Sequence, residues 1–71
     1  MMAVSEVELL LTIIGELGFI GYKVVLFNLR GQSLQQCATK FKISKRTAQY
    51  IIKKSNEKGY SMDLKRILPV K

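Results

Sequence analysis

Between Ser33 and Lys54 the hydrophobic positions fall at helical spacing. Leu34, Cys37, Ala38 and Phe41 stand at i, i+3, i+4 and i+7, which is one face of a helix. Ala48, Ile51 and Ile52 repeat the pattern, with Ile43 between the two sets. The spacing predicts a helix over Leu34–Phe41, capped by Ser33. A second helix follows from Lys45 to about Lys58, capped by Ser44 and stopped by Gly59. A hydroxyl before the first turn accepts an N–H that has no partner inside the helix. Two helices that each bury one stripe, joined by so short a turn, must cross steeply and share a core. The pattern is that of a helix-turn-helix.

Upstream, Ser5 and Glu8 form an S-x-x-E pair before an apolar run, the signature of a capping box, after a frayed start over Met1 to Val4. A helix is expected from about Glu6 to Leu17, with Gly18 as its stop. Val7, Leu10, Leu11 and Ile14 form one stripe, and Leu9, Ile13 and Leu17 an adjoining one. So wide an apolar arc exceeds what a small chain needs for its own core. The first stripe is therefore expected to make a homodimer interface. Residues 19–31 have strand-like composition at Tyr22–Phe27, but Ile20, Val24 and Phe27, with Val25 and Leu29, fit helical faces. A helix over about Ile20–Arg30, ended by Gly31, is favoured. The tail alternates Tyr60, Met62 and Leu64 with polar residues, which suits either a short strand or a packed arm. The expectation is one all-α, four-helix domain spanning 1–71.

Composition narrows this picture. At 71 residues and 48% apolar content, the chain can build one small, dense core. A single Cys excludes an internal disulfide, and the lack of His argues against a metal site of the usual ligand types. Cys37 reads as a small core residue, and a reducing, cytoplasmic setting fits. The run Val7–Leu29 is long enough to test as a membrane span. Glu8, Glu16 and Lys23 are spread through it and Gly15, Gly18 and Gly21 interrupt it, so neither a span nor a signal is expected. Charge is divided. Residues 1–29 carry three carboxylates and one lysine, whereas residues 30–71 carry eleven Lys or Arg against Glu57 and Asp63. A packing part is joined to a polyanion-binding part.

The chemistry follows from what stands off the buried stripe of the second helix. Lys45, Arg46, Gln49, Tyr50 and Lys53 share its outer face. Arg can bond guanine O6 and N7 together, and Gln can do the same for adenine N6 and N7, so both suit direct base readout. Ser44 and Thr47 sit at the helix N-terminus, where the dipole favours phosphate. Arg30, Ser33, Lys40, Lys42 and Lys54 would flank a bound duplex and contact its backbone, giving affinity without sequence information. A merely solvated cationic surface is the plainer reading, and Tyr50 could instead pack at the core edge. Arg, Gln and Tyr among the lysines favour DNA.

These residues resemble the helix-turn-helix of bacterial, phage and plasmid transcription regulators. Ala38 matches the small residue of that motif's first helix, and Ile43, Ala48 and Ile51 match its buried positions. The resemblance implies that Ser44, Lys45, Arg46, Gln49, Tyr50 and Lys53 face bases and phosphates. Lys42 departs from the motif: it stands where the family usually has a turn Gly, and must accept a positive φ. The region from Val24 to Gly59, with Leu29-Arg30-Gly31 before the motif, is similar to the four-helix module of sigma factors and LuxR-type regulators. The tail, through Gly59-Tyr60 and Leu68-Pro69, is similar in outline to plasmid repressors of the TrfB (KorA) type.

The expected function is a non-enzymatic, cofactor-free, homodimeric regulator that binds double-stranded DNA in sequence-specific fashion and represses by occupying a promoter. A small activator would also touch RNA polymerase. Two other classes fit less well. An adaptor or anti-factor would use the apolar N-terminal helix on a transcription complex. A recombinase or transposase DNA-binding part would need catalytic carboxylates, and the five here are not clustered.

Overall fold

Gly18 sets the shape of the N-terminal half. In the computed structural model, which describes residues 4–67, α1 (Val4–Leu29) is one long helix whose backbone leaves the helical region at Gly18 (φ 79°, ψ 161°). That combination is open essentially to glycine alone. The two helices expected on either side of Gly18 are present as the two arms of α1, and Gly18 is the break between them, as expected. Met1 to Ala3, part of the expected frayed start, lie outside the described residues. The capping box at Ser5 is not formed: the helix has already begun at Val4, which places Ser5 inside the first turn. Val4 extends the Val7, Leu11, Ile14 series one step upstream, and the helical backbone follows the apolar stripe. At the other end Gly31 (φ 97°) turns the chain, its N–H donating to the Asn28 carbonyl at 3.0 Å.

Then come α2 (Leu34–Phe41), α3 (Lys45–Glu57) and α4 (Tyr60–Ile67). The described residues contain four helices and no strand. The strand or arm considered for the tail is corrected by α4, with Leu68-Pro69 outside the described residues. Tyr60 and Leu64 satisfy period 2, but they also stand at i, i+4, and both are buried against α1 while Met62 is 78% exposed. Asp63 in the first turn and Arg66 in the last pair at 3.1 Å, which suits the helix dipole at both ends. Gly59 (φ 76°) reverses the chain between α3 and α4. The buried Ser55 hydroxyl and Ser61 Oγ share a 2.9 Å hydrogen bond, and Ser61 donates to Asn56 Oδ1 at 2.7 Å. The polar side chain in this core is thereby satisfied.

Two apolar clusters meet along α1. One joins Ile13 and Val25 to Tyr60 and Leu64, so α4 closes the kinked arms of α1. The other joins Val24 to Cys37, Ala38 and Ala48, which locks α2 and α3 onto the second arm. Ile51 belongs to both. A Cβ at Gly21 would crowd Leu17 Cβ, at 3.0 Å across the Gly18 kink, while meeting Ile51 Cγ2 of α3 at an ordinary 3.5 Å. Phe27 and Phe41 pack edge to face, with centroids 5.7 Å apart. By length and composition α1 is also apolar enough to cross a membrane, its most apolar window having a mean hydropathy of 1.8.

Candidate nucleic-acid interface

The turn between α2 and α3 is built from its caps. Ser33 Oγ accepts the Gln36 N–H at 3.1 Å, and the Ser33 N–H donates to Gln36 Oε1 at 2.8 Å. This reciprocal pair is a capping box. Gln36 was not singled out from the sequence, although the S-x-x-Q spacing that marks it is present there. Lys42 takes the left-handed conformation (φ 56°, ψ 44°), as its place in the turn requires. Ser44 Oγ accepts the Thr47 N–H at 3.0 Å and donates to Thr47 Oγ1 at 2.8 Å. The N–H groups of Lys45 and Arg46, in the first turn of α3, have no acceptor inside the helix, and an anion is favoured there.

From that fixed start, α3 presents its outer face. Lys45, Arg46, Gln49, Tyr50 and Lys53 are all exposed, while Ala48 and Ser55 on the opposite side are buried. Tyr50 is 63% exposed, so it does not pack at the core edge. Lys54 is half-buried. Among the described residues the ion pairs are Lys58–Glu16 (3.8 Å) and Arg66–Asp63 (3.1 Å). Neither uses a cation of this face, whose charges are available to a ligand.

Gln49 and Lys53 border a groove of about 620 Å³ with Asn28, Leu34, Ile52, Asn56 and the carboxylate of Glu57, which marks the C-terminal limit of the basic face. Asn28 and Asn56 were missed in the sequence because they reach this groove from different elements. The Asn28 side-chain amide donates to the Gln32 carbonyl at 3.0 Å, which leaves its oxygen free to accept. Ser33, Lys42, Ser44 and Thr47 are exposed around the turn. Arg30 and Lys40, expected beside them, line a separate groove with Lys23, Phe27 and Phe41. Leu34 borders the first groove and Lys40 the second, on different flanks of α2.

The residues expected to form a dimer contact divide. Val7 is 42% and Leu11 63% exposed, joined by Val4 at 75%. Leu10 and Ile14 are half-buried, and Leu10 packs against the Ile13 cluster. The inner stripe of the first arm is thus Leu9, Leu10, Ile13 and Leu17, and the outer one Val4, Val7 and Leu11.

Among the described residues, Cys37 and Tyr60 titrate away from their ordinary values, and both lie off the α3 face. Burial pushes the Cys37 thiol up, and its Sγ lies 3.8 Å from the Val24 carbonyl. Burial also raises the Tyr60 phenol, helped by the Glu16 and Asp63 carboxylates nearby. No group of three or more His, Cys, Asp or Glu among the described residues could hold a metal ion. No protein-family model, curated protein or solved structure matches this chain.

Proposed function

We propose that the protein is a sequence-specific regulator of transcription that binds double-stranded DNA and lays α3 in the major groove. The observation that carries this is the outer face of α3, where Arg46, Gln49, Tyr50 and Lys53 are exposed and, among the described residues, none of its cations is held in an ion pair. Arg46 and Gln49 supply bidentate donors and acceptors for base edges. Lys45, Lys53, Lys42 and the capped N-terminus of α3 hold flanking phosphates. Repression by occupying a promoter is the simplest mode of action, because it needs no surface beyond the one that binds DNA.

The outer stripe Val4–Val7–Leu11, flanked by the half-buried Ile14, supports a homodimer. A two-fold axis there would set two α3 helices on half-sites about one helical turn apart. We read α1 as a core helix and not as a membrane span. Ile13, Val24 and Val25 are buried against the other helices. The non-helical backbone at Gly18 would leave polar groups unpaired in lipid.

The test is binding to duplexes that differ by single base pairs. Arg46→Ala or Gln49→Ala should lower affinity for the preferred duplex by about 1–3 kcal/mol and relax choice at one base position. Equal affinity of wild type and variants for every duplex would refute base readout.

A further inference from the structure

Arg30 and Lys40 line a second groove that shares no lining residue with the one bordered by α3. This second groove lies between the second arm of α1 and the C-terminal end of α2, with a volume of about 310 Å³. Its lining is Lys23, Leu26, Phe27, Arg30, Lys40 and Phe41, with no carboxylate among them. Lys23, Arg30 and Lys40 are exposed, and none of them makes an ion pair among the described residues. Their floor is apolar, the half-buried Leu26 and the edge-to-face pair Phe27–Phe41. The apolar surface continues along α1 to Phe19, which is 61% exposed and lies under the Lys23 ammonium at 4.5 Å. Phe19, Lys23, Phe27 and Arg30 stand at i, i+4, i+8 and i+11, a single helical stripe about three turns long.

We propose that this groove docks an acidic amphipathic segment of a partner protein, its carboxylates on Lys23, Arg30 and Lys40 and its apolar side chains on Leu26, Phe27 and Phe41. Charge complementarity selects the acid, and the apolar floor selects a peptide over a nucleic-acid backbone, which brings phosphates but little to fill a hydrophobic trough. The surface shares no residue with the outer face of α3. One chain can therefore hold DNA on α3 and a protein on the α1–α2 groove at the same time, which goes beyond DNA readout.

The probe is a fluorescein-labelled amphipathic peptide with glutamates at helical spacing beside leucine and phenylalanine, followed by anisotropy against the full chain. Its control is the same peptide with every Glu replaced by Gln. Lys23→Ala/Lys40→Ala, both at exposed positions, should weaken the acidic peptide about tenfold. The Gln peptide should bind as weakly as that, and Arg46→Ala should leave peptide binding unchanged whatever it does to DNA. Equal binding of the two peptides, or no response to the lysine variants, would overturn the proposal. So would a result in which the lysine pair weakens random-sequence duplex DNA and not the peptide, for the groove would then be a backbone clamp.

Discussion

The Ile43 N–H donates to the Ala38 carbonyl at 3.0 Å and closes the end of α2 across Lys42. The bond spans six residues and is a Schellman-type stop, which requires the residue inside it to be left-handed. The angle between α2 and α3, and hence the direction in which Arg46 and Gln49 point, depends on that one lysine holding φ 56°.

Replacing Lys42 with Gly should therefore have two opposite effects. A left-handed non-glycine costs ~1–2 kcal/mol, offset in part by glycine's own entropy, so Lys42→Gly should stabilise by about 0.5–1 kcal/mol. Thermal unfolding should shift upward by roughly 2–8 °C. The same change removes one cation beside α3, and the slope of log affinity against log salt for DNA should fall by about one. A lower melting temperature would contradict the account of the turn.

Exposure of the outer stripe of α1 decides how dimerisation should be probed. Leu10 packs inward, so a charge there would confound association with folding. Leu11 is 63% exposed, and Leu11→Glu should leave the helical signal intact. Wild type should sediment at twice the 8.1 kDa chain mass, and the variant at the monomer mass. Identical masses for the two proteins would remove the N-terminal arm from any dimer.

Tyr60 predicts a signature at alkaline pH. Its phenol is held above its ordinary value near 10, chiefly by burial and further by Glu16 and Asp63. The unfolded chain therefore ionises first. The stabilisation is fully present below about pH 10 and is lost as pH rises through the raised folded value. Tyr60→Phe should flatten the fall in urea-unfolding stability above pH 10, while lysine titration remains common to both proteins. Equal slopes would place the phenol in a less protected setting.

Cys37 is fully buried against Val24, and its thiol is shifted up by burial. Modification by a maleimide should require the chain to open. The native rate should be lower than the rate in urea by on the order of 10³ or more. Comparable rates would mean that α2 is loosely docked.

Much of the fold was legible because the signals were local. Ser33 and Ser44 are caps, Lys42 is left-handed, and Cys37, Ala38 and Ala48 are buried, each as the helical spacing predicts. Tyr60–Ile67 was ambiguous because the alternating series i, i+2, i+4 contains the helical pair i, i+4, and only contact with Ile13 and Val25 selects the helix. Ser5 failed as a cap for the opposite reason: the residue before it, Val4, is already helical, so the local motif lies within the helix and not at its start. For the candidate site, periodicity located the outer face of α3, but it could not sort the flanking cations. Arg30 and Lys40 read as phosphate contacts from their charge; the packing of α2 on α1 also places them with Lys23 along a second groove, which a linear chain does not show.

The central claim is that α3 reads base sequence, and the most direct measurement is selection of bound sites from a random duplex DNA pool by the full chain. The account predicts an enriched palindromic consensus with half-sites about one helical turn apart, in which Gln49→Ala loses preference at one position of each half. No enrichment over the starting pool, with wild type and Gln49→Ala retaining the same sequences, would contradict it.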